Sequence, residues 1–390
     1  MITLIKGGKV YSPRFIGKKD ILICGDKIEL IEDKINVENC GLEVKVIDAY
    51  GKLVFPGFID SHVHILGGGG EGGFKTRTPE IKLSELITAG VTTVVGCLGT
   101  DGVCRDMKAL LAKARALEEE GISTFIYTGS YRMPVKTMME NVQEDIILID
   151  KIIGVGEVAL SDHRSSHPTF ELFIQLVSDA RVAGILSGKA GIVNVHMGDG
   201  KSELDYLDRL AKETDIPKAQ IIPTHINRNK SLFEKGIDYA KNGGYVDFTT
   251  STTEKFLEEG EVKCSTGLRI MLDGGVDIKN ITFTSDGQGS LPDFDDKGEC
   301  IGLKVGKCTS LYKEVRDAII NENISIERAI TVITSNPAEH LKLKTKGYLK
   351  VGFDADIVLV DENEYNISSV VAKGRTMIHE NKILVKGVFE

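Results

Sequence analysis

Pro56-Gly57-Phe58-Ile59-Asp60-Ser61-His62-Val63-His64 is an apolar run that ends in two histidines one residue apart. Alternate side chains leave the same face of a strand, so His62 and His64 point to one side and can hold a single metal centre together. Such a pair is only a short motif, and the rest of the chain decides what it means.

Outward from this stretch, residues 54 to 345 alternate short apolar runs with longer amphipathic segments, the pattern of βα units around a parallel sheet. Eight strands are expected: Leu53 to Ile59, Thr92 to Gly96, Thr124 to Thr128, Ile152 to Leu160, Ile192 to His196, Ile221 to His225, Tyr245 to Thr249 and Ile281 to Asp286. Met107, Leu110, Leu111, Ala114 and Leu117 form one helical stripe that Gly121 closes, and similar stripes run over 170–183 and 232–240. Eight repeats predict an α/β fold with a closed (β/α)8 TIM-like barrel rather than an open sheet. The first fifty residues and the last forty-five read instead as short strands of an antiparallel sheet, punctuated by Gly7-Gly8 and Gly25-Asp26 turns. The expected domains are therefore a small β-sandwich built from residues 1–54 and 346–390, and a barrel over 55–345.

Barrel enzymes place their sites at the carboxyl ends of the strands. His62 and His64 end the first expected strand, Glu157 lies on the fourth, and His196, His225 and Asp286 end the fifth, sixth and eighth. His163, His167, His340 and His379 stand elsewhere. Imidazole and carboxylate suit Zn2+ or another borderline divalent ion, and Glu157 is placed to bridge two ions that share a hydroxide, the nucleophile for amide hydrolysis. Asp286 is then the group to take a proton from the hydroxide and deliver it to the leaving nitrogen. Arg164 and Arg228 each offer a planar fork to a carboxylate, and Glu71 can hold an ammonium. Tyr131 can donate to a developing oxyanion, while Thr100 and Ser290 orient the substrate.

Several function classes are excluded. A net charge of −9 with no basic run argues against nucleic-acid binding. Seven cysteines without a Cys-x-x-Cys pair suggest reduced thiols rather than a disulfide scaffold. No apolar run approaches membrane-spanning length, and the opening residues lack the form of a signal peptide, so a cytoplasmic protein is expected. The glycine run over 67–73 is not followed by Gly-Lys-Ser or Gly-Lys-Thr, which favours a tightly turning active-site loop over a phosphate cradle. Ser165 has no Gly-x-Ser-x-Gly context for a serine hydrolase.

The order His-x-His, bridging ligand, His, His, Asp resembles the amidohydrolase superfamily along essentially the whole chain. Longer stretches resemble the isoaspartyl dipeptidases (β-aspartyl peptidases) within it: Gly67-Gly68-Gly69-Gly70-Glu71, Leu98-Gly99-Thr100-Asp101, Thr128-Gly129-Ser130-Tyr131, Ser161-Asp162-His163-Arg164-Ser165, His196-Met197-Gly198-Asp199, Pro223-Thr224-His225-Ile226-Asn227-Arg228-Asn229 and Ser285-Asp286-Gly287-Gln288-Gly289-Ser290. This resemblance implies a metallopeptidase, with two Zn2+ per subunit, that acts on a small β-aspartyl dipeptide. It also implies a homo-oligomer and suggests an octamer. One position departs: where many such enzymes carry a carboxylated lysine, Glu157 stands, and Lys151 falls at the wrong end of its strand to substitute. The competing readings are a cyclic-amide hydrolase resembling dihydropyrimidinase, an N-acyl deacetylase, and a noncatalytic scaffold, the last of which would be marked by lost ligands.

Overall fold

The computed structural model describes residues 2–37, 41–294 and 300–390, with the backbone alone for 292–294 and 300–301. Strand β1 (Ile2–Tyr11) pairs antiparallel with β2 (Phe15–Cys24), which pairs with β3 (Lys27–Glu32). On its other edge β1 serves two partners in parallel: Ile2 to Lys6 pair with β4 (Val44–Asp48), and Lys9 and Val10 pair with β5 (Lys52–Pro56). The change of partner falls at Gly7-Gly8, where the register to β2 shifts. Gly7 has φ +76°, and a Cβ on Gly8 would lie 2.3 Å from Val54, so glycine is what allows β5 so close.

Beyond β5 come eight parallel strands: β6 (Phe58–Val63), β7 (Val91–Gly96), β8 (Ser123–Thr128), β9 (Ile152–Leu160), β10 (Ile192–Met197), β11 (Ile221–Thr224), β12 (Val246–Thr249) and β13 (Ile281–Thr284). The first six form one parallel sheet in chain order, and β12 pairs with β13. At one seam the Ile226 amide donates to the Asp247 carbonyl at 3.2 Å. At the other, the His64 amide donates to the Gly287 carbonyl at 2.9 Å, beside a parallel bridge between Val63 and Gly287. The parallel sheet is strongly curled. Nearly every residue of these strands is buried, which explains why they read as continuous apolar runs rather than alternating ones.

One expectation needs correction. Leu53 to Ile59 is not one strand, because Lys52–Pro56 belongs to the terminal sheet and the parallel set begins at Phe58. Both pieces are covered on two faces, so no polar period marks the change of sheet at Gly57.

The three helices expected from their stripes are present at Met107–Glu120, Phe170–Ser187 and Lys230–Lys241. Asp106, Thr169 and Asn229 cap their first turns by accepting from backbone amides. Met107, Leu110, Ala114 and Leu117 pack into the main core against the strands, and each buried leucine contributes about 2 kcal/mol.

A hairpin of β14 (Ser290–Phe294) and β15 (Cys300–Val305) follows β13. The chain then returns to the terminal sheet as β16 (Ile357–Asp361), antiparallel to β5, continued by β17 (Ile367–Ala372), β18 (Arg375–His379) and β19 (Lys382–Ile383). The terminal strands, expected to pair antiparallel, form one nine-stranded mixed sheet branched at β1, because β1 runs parallel to β4 and β5. Ile5, Val10, Ile21, Ile23, Val54, Leu359 and Val371 share its core, so residues from both chain ends meet in one apolar cluster. Among the described residues no helix is long and apolar enough to cross a membrane. Cys24, Cys97, Cys104, Cys264 and Cys308 are free thiols, whereas Cys40 and the Cys300 side chain lie outside the described residues.

Candidate metal centre and active site

The carboxyl ends of the parallel strands bring six predicted ligands together. Glu157, near the end of β9, is the hub: its Oε1 lies 3.3 Å from His64 Nε2, and its Oε2 lies 3.4, 3.1 and 3.6 Å from His62 Nε2, His196 Nδ1 and His225 Nε2. Asp286 completes the set, with Oδ1 3.0 Å from His64 Nε2 and 3.7 Å from His62 Nε2. His225 and Asp286 follow the ends of β11 and β13 with φ of +64° and +52°. Left-handed backbone at two non-glycine residues costs on the order of 1–3 kcal/mol each and occurs where function fixes a side chain's direction.

This donor set fits divalent metal. His62 Nε2, Glu157 Oε1 and Asp286 Oδ1 are buried without hydrogen-bond partners, yet they converge on one another. Buried polar atoms normally find partners, so this convergence indicates a cation. His62, His64 and Glu157 form one potential ligand group, joined by Cys97, and Glu157, His196 and His225 form a second. The far ring nitrogens are also occupied. His62 Nδ1 lies 3.2 Å from Asn194 Oδ1, His196 Nε2 lies 3.1 Å from Asp162 Oδ2, and His225 Nδ1 contacts the Thr249 hydroxyl. Such partners fix imidazole tautomer and direction.

Electrostatics separate the histidines. Burial and the neighbouring His196 push His225 down to about 3, which leaves it neutral and ready to ligate. Burial opposes charge on His62 and His64 as well, but Cys97 and Glu157 for the first, and Cys97 and Asp286 for the second, outweigh it and raise both well above the usual range. Without metal these two imidazoles therefore keep their protons past neutrality, and an incoming ion must displace them. Metal uptake should release protons, and apparent affinity should rise as pH rises through their elevated pKa values. Calorimetric titration in buffers of different ionisation enthalpy measures the release. Equal affinity at about pH 6 and about pH 8 would contradict this protonation pattern.

Gly99 shows how tightly the centre is held. A Cβ there would lie 2.8 Å from His64 Cε1 and 3.4 Å from Glu157 Oε1. Gly99→Ala should therefore displace His64 and weaken metal binding about tenfold or more, as seen in competition with a chelating dye. Unchanged affinity would show that the imidazole can yield at no cost.

The predicted substrate residues line a cavity of about 700 Å3 whose walls also include His64, His196, His225 and Asp286 of the ligand cluster. Glu71 gathers three of them: Thr100 donates to its Oε1 at 3.2 Å, Ser290 donates to its Oε2 at 3.1 Å, and Arg164 Nη1 lies 3.4 Å from its Oε1. Asp162 accepts from Arg164 Nε and Nη2 at 2.9 and 2.8 Å, so this fork is already aligned. Arg228 shares the cavity but is not joined to that group: Asp199 lies 4.0 Å away, and its Nε has no hydrogen-bond partner. The Tyr131 hydroxyl lies 2.8 Å from His196 Nδ1. Burial, and Glu157 beside it, hold the phenol well above its usual range, so it stays a neutral donor.

Sequence reasoning missed some of this constellation. His163 stands at no strand end, yet it lines the cavity. Asn194, Asp162 and Thr249 reach the histidines through contacts distant in sequence. Asp247 sits below the centre, accepting from Thr224, Thr282 and Thr284, and burial raises it to about 6. Lys151 does lie at the opposite end of β9, donating to the Thr124 carbonyl and paired with Glu118. His340, also away from the centre, stacks on Tyr245.

The sequence pattern of the Amidohydrolase family matches residues 53–377. Among solved structures, a β-aspartyl dipeptidase from the thermophilic, keratin-degrading Fervidobacterium islandicum AW-1, in complex with the β-Asp-Leu dipeptide, is 46% identical, with a TM-score of 0.92 and coverage of 98% of this chain and 97% of that one. A D-hydantoinase at 19% identity and TM-score 0.69, covering 99% of this chain and 97% of that one, shares the fold. A curated relative, the dihydroorotase of Lactobacillus gasseri, is 24% identical over 423 residues, covering 96% of this chain and 93% of that protein. With the converging ligands of β6, β9, β10, β11 and β13 and a family match spanning most of the sequence, the chain belongs to the amidohydrolase family.

Proposed function

We propose that this protein is a zinc-dependent isoaspartyl dipeptidase, which hydrolyses the side-chain amide of β-aspartyl dipeptides. The observation that carries the reading is the grouping of Glu71, Thr100, Arg164 and Ser290 in the cavity over the metal ligands, with Arg228 on the same wall system. A β-aspartyl dipeptide presents one ammonium and two carboxylates, and the cavity offers Glu71 for the first and the two guanidinium forks for the others. The 46% identity to a β-aspartyl dipeptidase over nearly the full chain supports the same substrate class more strongly than dihydroorotases at 24% support a cyclic amide. In this reading the eight parallel strands form one closed barrel, and the two chain ends form one small domain.

His62, His64, Glu157 and Asp286 would hold one ion, and Glu157, His196 and His225 a second. Bound zinc would supply Lewis acidity and a hydroxide nucleophile near neutral pH. The chain's own residues do the rest. Glu71, Thr100 and Ser290 fix the amino end, and the arginines align the carboxylates, so the scissile carbonyl is presented in one orientation. Tyr131 donates its hydroxyl hydrogen to the carbonyl oxygen as charge grows there, leaving His196 to do so. Burial would raise Asp286, but His64 beside it and the charge of the surrounding histidines hold it below its usual range, so it is ionised and able to accept a proton. It then returns that proton to the leaving nitrogen.

The test is a substrate panel with zinc-loaded protein: β-Asp-Leu, dihydroorotate, dihydrouracil and an N-acetyl amino sugar. Leucine release from the first, at least about a hundredfold faster per active site than turnover of the others, is expected, since polar sites reject ligands that leave their charges unpaired. Turnover of a cyclic amide without β-Asp-Leu cleavage would replace this reading with the dihydroorotase-like one.

A further inference from the structure

Cys97 follows β7 directly and is fully buried. Its amide donates to the Val63 carbonyl at 3.0 Å, which fixes it beside the segment that carries His62 and His64. The thiol itself is poorly used by the protein. Its contacts are the Val63 carbonyl at 3.7 Å and His64 Nδ1 at 3.8 Å, both at the long end for sulfur. Meanwhile one donor atom from each of His62, His64, Cys97 and Glu157 lies within 4.8 Å of every other, and His62 Nε2 and Glu157 Oε1 are buried there without partners.

We propose that Cys97 is a thiolate ligand of the ion held by His62, His64 and Glu157. This rests on the reading of the cluster as a metal centre. A thiol that only accompanied His64 would have no reason to lie within reach of His62 and Glu157 as well. With zinc–sulfur at about 2.3 Å and zinc–nitrogen at about 2.0–2.1 Å, neighbouring donors on one ion stand roughly 3–3.6 Å apart, so these atoms need close by only on the order of 1 Å, with Asp286 as a further donor to the same ion. In the bound state the sulfur would be a thiolate and would donate its electron pair to the ion, and the proton shared among Cys97, His62 and His64 would leave to solvent. A soft anionic donor would bias this site toward Zn2+, Co2+ and Cd2+ and away from Mg2+ and Mn2+. It also adds a negative charge to a centre whose bridging position holds Glu157.

X-ray absorption at the zinc edge of the wild-type protein, loaded to stoichiometry, tests this without any variant. A zinc–sulfur shell at about 2.3 Å is expected. The Co2+-loaded protein should show a thiolate-to-metal charge-transfer band, kept in Cys104→Ser, whose thiol is exposed, and lost in Cys97→Ser. Cys97→Ser should also lower Cd2+ affinity about tenfold or more. Metal bound by nitrogen and oxygen alone in wild type, or a sulfur shell that survives Cys97→Ser, would overturn the assignment. If Cys97→Ser does not fold, the wild-type spectrum decides. A sulfur shell in a protein that fails to cleave β-Asp-Leu would refute the substrate reading and leave the ligand in place, whereas cleavage with a sulfur-free centre would do the reverse.

Discussion

Asp286→Asn should reduce kcat on β-Asp-Leu by about a hundredfold to ten-thousandfold while metal content stays near the wild-type value. The size follows from what is removed: the amide keeps an oxygen near the His64 position but cannot accept the proton. Asp286 is ionised, and its Oδ1 is 3.0 Å from His64 Nε2, within the same centre the reacting carbonyl must approach. Asparagine is also the substitution least apt to disturb the fold here, because it tolerates the left-handed backbone that Asp286 adopts at φ +52°. Steady-state kinetics paired with metal analysis checks the prediction. Full activity would remove Asp286 from proton transfer, and loss of metal with activity would recast it as chiefly a ligand.

Glu157→Ala should have the other large effect, and through a different quantity. Glu157 is fully buried, with His62, His64, His196 and His225 each within 3.6 Å of one of its carboxylate oxygens. Burial alone would raise its pKa, yet His62 and the hydrogen bonds from His196 and His225 hold it well below the carboxylate range. Among the described residues it is the one group shared by both potential ligand groups, and its removal leaves imidazoles facing one another without a counter-charge. Metal content per subunit should fall by half or more, with activity below about one per cent of wild type. Inductively coupled plasma mass spectrometry after desalting reads the first quantity. A Glu157→Ala protein with wild-type metal content would show that Glu157 does not bridge.

Which parts of this were legible in the sequence follows from the range of the interactions involved. His62 and His64 could be read because a strand's period of two is local, and Met107 to Leu117 because a helical stripe is. The eight buried strands declared themselves as apolar runs, but the same uniformity hid the division between β5 and β6 at Gly57. Pairing in the terminal sheet was hidden for another reason: β1 changes partner at Gly7-Gly8, and β5 joins β16 across some three hundred residues, so no local pattern marks the branching. In the site, ligands at strand ends were readable from position. The groups that orient them were not, since Asn194 reaches His62 across 132 residues and Asp162 reaches His196 across 34. Cys97 looked like an ordinary buried thiol because only the curled sheet brings the end of β7 within reach of Glu157 on β9, with β8 between them.

The central claim concerns the linkage the cavity accepts, and kcat/KM for β-Asp-Leu, α-Asp-Leu and succinyl-leucine measures it most directly. The β-linked dipeptide supplies the ammonium for Glu71 and both carboxylates in one arrangement, the α-linked isomer misplaces the scissile amide, and succinyl-leucine lacks the ammonium. The expected result is that β-Asp-Leu exceeds each of the others by at least about a hundredfold, because the α-linked isomer misplaces the amide and succinyl-leucine leaves the Glu71 carboxylate without its ammonium partner. Equal rates on the α- and β-linked peptides, or equal rates with and without the amino group, would contradict it.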